Sequence, residues 1–259
     1  MGQNFLKNVK LLEKEADYAF LNKDDFVLEI GPGIGNLTEV LCRKAGKVFA
    51  IEKDTGFKEH MSLLENKFQN LEVVFGDATE INLPNCNKVV SNLPFNVALP
   101  LIFKILQKDY DVAVLICQER LARRICAGPG ETGYSRISVS IQRLADTEVL
   151  KTIPGSAYEP KIDVSTAILR LRKTKPKFRA PSEEFFKRTL EYLFFRRNQK
   201  LSRVLSDLSC KKIPVEDKKI SMLRPGEFGK ISLYLKSKKI KIPKVTNEQK
   251  RKAQKYQKE

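Results

Sequence analysis

A regular alternation of two hydropathy patterns over the first two-thirds of the chain constrains the fold most. Short, nearly continuous apolar runs are typical of strands that are buried on both faces of a parallel sheet. Such runs occupy residues 26–30, 48–51, 71–75, 89–91 and 112–117. Segments with helix-type spacing separate them, at residues 37–45, 57–68 and 98–106. Because strands and helices alternate, we expect right-handed crossovers and a mostly parallel, doubly wound α/β sheet.

The pattern changes after the fifth apolar run. Residues 137–144 have helix-type spacing, whereas residues 148–153 and 167–171 are predicted to complete the sheet as two further strands. The next segment, residues 173–181, contains two prolines and is predicted to be a linker.

Amphipathic patterns beyond this linker predict a second, all-helical domain. They lie at residues 183–195 and 199–208, with a shorter candidate after Arg224. We therefore expect one domain at residues 1–175, a small helical domain at residues 176–242 and a basic tail at residues 243–259.

Charge is the outlying feature of the composition. The chain has 48 Lys and Arg against 31 Asp and Glu, which gives a formal net charge of +17. Such an excess favours a polyanionic partner, either nucleic acid or an acidic membrane surface. No apolar run approaches the roughly 20 residues that span a bilayer, and no signal-peptide pattern opens the sequence. We therefore expect a cytoplasmic protein with no membrane partner, and leave an organelle open.

The cysteines and the histidine do not form a metal-binding pattern. Five cysteines occur without a Cys-x-x-Cys pair, and the chain has a single histidine. No metal site is predicted, and the thiols are expected to be reduced.

A glycine-rich segment links the first predicted strand to the helix that follows it. Gly31, Gly33 and Gly35 alternate with other residues, and glycine permits positive φ and a close approach of a ligand to the backbone. A nucleoside cofactor is the ligand that this position favours. The spacing is neither the Gly-x-Gly-x-x-Gly of dinucleotide enzymes nor a phosphate-binding loop with Lys-Ser/Thr. The alternative is a simple turn between strand and helix.

Acidic residues follow the next two predicted strands. Glu52 is placed to bind ribose hydroxyls, and Asp77 to accept a hydrogen bond from an adenine amino group while Ala78 lets the base lie flat. The alternatives are an ordinary exposed Glu52 beside Lys53 and an Asp77 that caps the next turn. All these positions fall at the carboxyl ends of strands, where open α/β sheets bind ligands.

The tetrapeptide Asn92-Leu93-Pro94-Phe95 follows the fourth predicted strand. The Asn92 side-chain oxygen and a neighbouring carbonyl, stiffened by Pro94, can accept both hydrogens of an exocyclic amine, and Phe95 can stack on the ring. The alternative is a common Asn-x-Pro turn with a core phenylalanine.

Assembled, these motifs resemble those of the KsgA-type family of rRNA adenine dimethyltransferases, which includes the Dim enzymes and is related to the Erm enzymes. The resemblance covers nearly the whole chain. It is carried by Gly2 to Leu6, Glu29 to Gly33, Glu52, Gly76 to Ala78, Asn92 to Phe95, Tyr134 to Ser138, Pro154 to Val164 and Arg196 to Lys200.

The resemblance implies a Rossmann-like class I methyltransferase with a C-terminal RNA-binding helical domain. S-adenosylmethionine would be held by Gln3, Asn4 and Leu6, by Gly31, Gly33 and Gly35, by Glu52 and Lys53, by Asp77 and Ala78, and by Asn92. The catalytic residues would be Asn92 to Phe95. The implied reaction is dimethylation of two adjacent adenosines near the 3′ end of small-subunit rRNA within a pre-ribosomal particle, by a monomer.

Candidate RNA-binding residues, most of them basic, lie beyond the cofactor motifs. They are Tyr158, Arg136, Arg196, Arg197, Lys200 and Arg203. For the basic residues the alternative is a solvated charged face, which the overall charge disfavours. The chain departs from the family at Phe95, where most relatives have Tyr, at Tyr158, where Phe is usual, and at Glu159, where a second aromatic is common.

Three other functions remain open at the level of the sequence. An Erm-like enzyme acting on large-subunit rRNA shares the fold and the chemistry. A non-catalytic RNA-binding assembly or transcription factor could keep the same fold, although the cofactor motifs argue against it. A nicotinamide dehydrogenase is disfavoured by the glycine spacing.

Overall fold

The computed structural model describes residues 5–6, 8–210 and 212–246, which form two compact units. The first unit contains the described residues up to Arg123 together with Ala145–Thr174. The second contains Arg124–Leu144 and the described residues from Lys175 onward.

The first unit contains nine strands and the helices between them, counted over the described residues. The strands are β1 (Phe5–Leu6), β2 (Phe26–Ile30), β3 (Lys47–Glu52), β4 (Leu71–Phe75), β5 (Lys88–Asn92), β6 (Val112–Gln118), β7 (Ala145–Ile153), β8 (Tyr158–Glu159) and β9 (Thr166–Lys173). The helices are α1 (Val9–Asp17), α2 (Asn36–Lys44), α3 (Lys58–Lys67), α4 (Ala98–Leu106) and the start of α5 (Glu119–Cys126). All seven predicted strands are confirmed, with bounds that differ by three residues at most.

Seven of these strands form one sheet, in the order β4-β3-β2-β5-β6-β9-β7. Strands β2 to β6 are mutually parallel, whereas β9 runs antiparallel to both β6 and β7. The predicted mostly parallel sheet is therefore confirmed. The strand order reverses between β2 and β5, and ligands bind open α/β sheets at such a reversal.

Strands β2 and β5 separate towards their carboxyl ends. They pair only through Val27 with Lys88 and Leu28 with Val89. Farther along, the Ser91 hydroxyl donates to the Ile30 carbonyl at 2.7 Å and accepts from the Ile30 N–H at 3.2 Å. A side chain thus replaces the direct backbone ladder, and the loops that follow the two strands have room between them.

Helix α1 is absent from the predicted elements. Asn8 caps it, because its Oδ1 accepts a hydrogen bond from the Leu11 N–H at 3.2 Å. Leu12 and Ala16 are buried in the core of the first unit. Glu15, on the same buried face, interrupts the apolar spacing by which a helix is recognised.

Strands β1 and β8 form a separate two-stranded antiparallel sheet. Leu6 lies opposite Tyr158 in this pairing. Two-residue strands carry no periodic signal, so the sequence analysis did not predict them. The pairing holds a segment near residue 6 beside one that is about 150 residues farther along the chain.

The second unit is helical, as predicted. It contains the end of α5 and the helices α6 (Arg136–Gln142), α7 (Glu183–Phe195), α8 (Leu201–Ser206) and α9 (Pro225–Ser237). Residues 124–144, which lie in the first domain in the predicted division, pack in this unit because Tyr134 and Val139 are buried in its core. The Tyr134 hydroxyl donates to the Leu223 carbonyl at 2.8 Å.

The segment predicted to be a linker is packed rather than free. Phe178 and Ala180 contact the core of the second unit, and the Phe178 ring meets Phe186 edge-on at 5.9 Å. The two prolines favour an extended segment, but the apolar side chains between them are partly buried against that core. Residues 247–259 of the predicted basic tail lie outside the described residues.

Candidate active site

The glycine-rich loop after β2 has the backbone that its sequence predicts. Gly31, Gly33 and Gly35 have φ of +74°, +56° and +74°, a region that residues with a Cβ rarely adopt. The Gly31 N–H donates to the Ile51 carbonyl at 2.8 Å. A Cβ on Gly35 would stand 2.2 Å from Leu64 Cδ1. The loop therefore requires glycine for its conformation and for its packing against α3.

Glu52 holds this loop through its carboxylate. Its Oε2 accepts from the Gly33 N–H at 2.9 Å, and its Oε1 accepts from the Asp54 N–H at 2.8 Å. The side chain is buried, so the alternative of an ordinary exposed glutamate is wrong. The role of Glu52 towards a ribose stays a prediction.

Asp77 caps the turn that follows β4. Its Oδ1 accepts from the N–H and the hydroxyl of Thr79, at 2.8 and 2.6 Å, which confirms the capping alternative. Its Oδ2 pairs with the ammonium of Lys53 at 2.7 Å. These hydrogen bonds hold the pKa of Asp77 well below its ordinary range. Contact of Asp77 with an adenine amino group stays a prediction. For that contact, the Lys53 ammonium must either share Asp77 Oδ2 with the amino group or move away from it.

The Asn92 to Phe95 segment leaves the sheet directly. Asn92 is the last residue of β5 and pairs with Ile116 of β6, and the Leu93 N–H donates to the Ile116 carbonyl at 3.0 Å. The Pro94 carbonyl accepts from the Val97 N–H at 3.1 Å, so the segment is a turn. Phe95 is 37% exposed, and the alternative of a core phenylalanine is wrong.

A pocket of about 450 Å³ lies between the glycine loop and this turn. It brings together predicted site residues from four separate segments. They are Leu6, Gly31 and Gly33, Asn92 to Phe95, and Tyr158. Gly35, Glu52, Lys53, Asp77 and Ala78 are not among the residues that line it. Gln3 and Asn4 lie outside the described residues.

Glu29 also lines this pocket, and the sequence analysis did not assign it a role of its own. The side chain is buried, and within the described part of the chain its Oε2 has no hydrogen-bond partner. Burial, with a contribution from the Glu52 charge, raises the pKa of Glu29 to about 8. The sequence feature that could have identified Glu29 as a site residue is its position as the one acidic residue in the otherwise apolar strand β2. A buried carboxyl that has one oxygen without a hydrogen-bond partner suits a cationic ligand group.

Tyr158 forms part of the pocket wall. The residue is buried, and its hydroxyl lies 2.9 Å from Thr166 Oγ1. Burial raises the pKa of Tyr158 to about 12, so the phenol is neutral at physiological pH. The Tyr158 hydroxyl is therefore hydrogen-bonded to Thr166, and the residue also lines the pocket. A stacking role for Tyr158 stays a prediction.

The predicted RNA-binding basic residues all lie in the second unit. Arg136, Lys200 and Arg203 are exposed. The Arg196 guanidinium lies 4.3 Å from the Tyr192 ring centroid, and that of Arg197 donates to the Glu131 and Thr132 carbonyls. The first three are therefore the more accessible to a polyanion, and RNA contact by any of the five stays a prediction.

The described residues offer neither a metal site nor a membrane-spanning helix. No group of three or more His, Cys, Asp or Glu is arranged to hold a metal ion. No helix within the described ranges is long and apolar enough to cross a membrane.

The chain matches a family model described as Ribosomal RNA adenine dimethylase over residues 1–235. It is 40% identical over 211 residues to a protein of Methanococcus maripaludis strain C6 named probable ribosomal RNA small subunit methyltransferase A. That alignment covers 81% of this chain and 80% of the relative.

Two solved structures of methyltransferases are similar to this chain in fold. A dimethyladenosine transferase from Plasmodium falciparum has a TM-score of 0.81 at 26% identity, covering 92% of this chain and all of that one. The 23S rRNA methyltransferase ErmE has a TM-score of 0.74 at 22% identity, covering 90% and 99%, and this likeness concerns the fold alone. Because the family model spans most of its length, the chain belongs to the ribosomal RNA adenine dimethylase family, whose methyl donor is S-adenosylmethionine.

Proposed function

We propose that this protein dimethylates the exocyclic amine of two adjacent adenosines near the 3′ end of small-subunit rRNA. The observation that carries the proposal is the shared pocket, which the glycine loop lines on one side and the Asn92 to Phe95 turn on another. A donor and an acceptor nucleotide must meet in one cavity for direct transfer, and this pocket lies where the strand order reverses.

The pocket suits S-adenosylmethionine in shape and charge. Gly31 and Gly33 let a ligand approach the backbone, and the Glu29 carboxyl offers a partner for one of its cationic groups. Leu6 contributes an apolar wall. When bound, the sulfonium supplies an electrophilic methyl group. Glu52 and Asp77, outside this lining, are proposed to contact the ribose and the adenine of the same ligand.

The Asn92 to Phe95 turn is proposed to orient the target amine. Asn92 Oδ1 would accept one N6–H and a neighbouring backbone carbonyl the other. Because the Pro94 carbonyl already accepts from the Val97 N–H, the Leu93 carbonyl is the better second acceptor. The amine lone pair would then be aimed at the methyl group that the bound donor supplies. As the nitrogen gained the methyl group it would release one proton to solvent, and the donor's sulfur would leave as a neutral thioether. Positioning of this kind accounts for most of the catalysis.

Aromatic stacking would hold the target base once it leaves the RNA stack. The exposed Phe95 is available for one face, at roughly 1–3 kcal/mol per stacked base, and Tyr158 is the candidate for the other. In the second unit, the exposed Arg136, Lys200 and Arg203 are proposed to contact phosphates of the rRNA in a pre-ribosomal particle. We propose that the enzyme acts there as a cytoplasmic monomer.

Methyl transfer to defined substrates tests the proposal. Tritiated S-adenosylmethionine is supplied with immature 30S particles, naked small-subunit rRNA and large-subunit precursors, and the modified base is mapped. We expect labelled dimethyladenosine in the 30S sample. Label in the large-subunit sample alone would support the Erm-like alternative, and no label in any sample would support a non-catalytic factor.

The Asn92→Ala variant provides the matched control for this assay. We expect methyl transfer to fall below detection while binding of S-adenosylmethionine weakens but stays measurable, because the glycine loop is intact. Near-normal turnover by Asn92→Ala would contradict the proposed orientation of the amine.

A further inference from the structure

A buried carboxyl group, that of Glu15, lies within hydrogen-bond distance of the Asn92 side chain and is not among the groups that line the pocket. We propose that Glu15 is a positioning residue that holds the Asn92 amide with its oxygen towards the target amine. This inference rests on the function proposed above, and it concerns a residue of α1 that does not line the pocket.

The geometry joins the two side chains directly. With the Asn92 amide oriented to satisfy both groups, its Nδ2 donates to Glu15 Oε1 at 3.1 Å and to Oε2 at 3.3 Å. Glu15 is fully buried, and Asn92 is half-buried at the end of β5. Both carboxylate oxygens therefore lie within hydrogen-bond distance of one amide nitrogen.

An asparagine amide can be placed in two orientations that differ by a half-turn. An ionised carboxylate has only acceptors, so it accepts hydrogen bonds from Nδ2 and repels Oδ1. Because Asn92 also lines the pocket, the end of its amide that faces away from Glu15 is Oδ1. An oxygen is the atom that an N6–H donor requires.

Packing alone does not explain a glutamate at this position. Leu11, Leu12 and Ala16 on the same helix are all buried in the apolar core. Burial of a carboxyl group opposes folding unless it is paired, and an apolar side chain would suit this face better. We therefore attribute the glutamate at position 15 to its hydrogen bonds with Asn92 and not to packing of the core.

Ionisation of Glu15 then links activity to pH. The titratable groups that face it are Glu29 of β2 and Tyr158 of β8, and Asn92 of β5 is its hydrogen-bond partner. Burial and the charge of Glu29 raise the pKa of Glu15 well above its ordinary value, and the Tyr158 phenol stays neutral. A protonated Glu15 carries its own donor and can hold either end of the amide. The transfer rate should therefore rise with pH as Glu15 loses its proton.

Two substitutions separate positioning from packing. Glu15→Leu removes the acceptor and completes an apolar helix face, whereas Glu15→Gln has the hydrogen-bonding pattern of the protonated carboxyl, an oxygen acceptor and a donor, without a titratable group. Glu13→Gln, at an exposed position on the same helix, is the control. Single-turnover transfer is measured from pH 5.5 to 9 at saturating cofactor and RNA, together with cofactor Kd and Tm.

We expect Glu15→Leu to slow transfer at least about tenfold, with a cofactor Kd within about threefold of the wild type and an equal or higher Tm. We expect Glu15→Gln to transfer at about the rate that the wild type shows at the low end of this pH range and to lose the rise with pH. Wild-type rates in Glu15→Leu, or a rise with pH in Glu15→Gln equal to that of the wild type, would overturn the proposal.

A readout independent of catalysis distinguishes this inference from the proposed function. The side-chain amide protons of Asn92, assigned by comparison with Asn92→Ala, are observed by NMR in the free protein. We expect a downfield, slowly exchanging proton that Glu15→Leu abolishes and Glu13→Gln retains. An unshifted amide in the wild type would overturn the positioning role even if methyl transfer is found, and a shifted one would support it even if no substrate is methylated.

Discussion

The backbone N–H of Gly33 donates a hydrogen bond to Glu52 Oε2 at 2.9 Å, although β3 and the glycine loop are separate in the sequence. Glu52 Oε1 accepts at the same time from the Asp54 N–H, so one buried carboxylate orients the loops that follow β2 and β3. The conformation of the proposed cofactor loop therefore depends on a side chain that the sequence analysis assigned only to a ribose.

Replacement of Glu52 by Gln should disturb this loop. Both carboxylate oxygens accept from backbone donors, whereas a Gln amide has only one oxygen and would turn its NH2 towards one of those N–H groups. We expect the Tm to fall by several degrees, at about 2–4 °C per kcal/mol, and cofactor affinity to fall at least about tenfold. Thermal melting and calorimetric binding measure the two effects. Glu59→Gln, at an exposed position, is the control, and an unchanged Tm with intact affinity would contradict the structural role.

The raised pKa of Glu29 predicts a pH-dependent stability. Its ordinary value is 4.5 and its folded value about 8, so between these values the folded state keeps a proton that the unfolded state releases. Stability from this group is therefore complete below about pH 4.5 and declines as the pH rises to about 8. We define the Tm difference as the Tm of Glu29→Gln minus that of the wild type. We expect this difference to increase from pH 5 to pH 8.5, because only the wild type loses stability through Glu29. Melting curves at half-unit intervals check this, and parallel profiles for the two proteins would contradict it.

Cofactor binding provides a second readout of Glu29. If a cationic group binds beside this carboxyl, it favours the ionised form, so binding near pH 7 should release a proton. Calorimetry in two buffers that differ in ionisation enthalpy measures that proton. We expect Glu29→Gln to abolish the buffer dependence, and the same proton release in the variant would rule out Glu29 as its source.

The exposed ring of Phe95 predicts a difference between two substitutions. Phe95→Tyr keeps the ring and is expected to retain transfer within about threefold, whereas Phe95→Ala should lower kcat/KM by about 5- to 150-fold. The larger value corresponds to the full free energy of stacking one base. Steady-state methylation of immature 30S particles measures both. Phe20→Ala, at an exposed phenylalanine that does not line the pocket, is the control, and an equal loss there would indicate a general effect on stability.

The basic residues of the second unit predict the salt dependence of RNA binding. Lys200 and Arg203 are exposed, and each phosphate contact contributes about one unit to the slope of log K against log salt. We expect the Lys200→Ala/Arg203→Ala double variant to reduce this slope by about two. Filter binding between 50 and 300 mM salt measures it. The control double variant Lys230→Ala/Lys187→Ala removes the same charge from exposed positions outside the predicted set. An equal reduction of the slope in this control would show that net charge, and not contact by Lys200 and Arg203, determines RNA binding.

Local sequence patterns determined the elements of the sheet. The predicted strand at residues 26–30 and the predicted helix at residues 98–106 have the bounds of β2 and α4. Gly31 and Gly33 adopt the positive φ that their spacing indicates. These features depend on hydropathy and backbone sterics within a few residues, so the sequence carries them without knowledge of the fold.

Only the tertiary structure decided which side chains meet. Glu15 contacts Asn92, and Leu6 pairs with Tyr158, across separations that no periodicity encodes. Helix α1 was missed because its buried face includes that same glutamate. The sequence thus established the family motifs and the strands that present them. The orientation of the Asn92 amide and the protonation state of Glu29 follow from burial and long-range contacts, which exist only once the chain has folded.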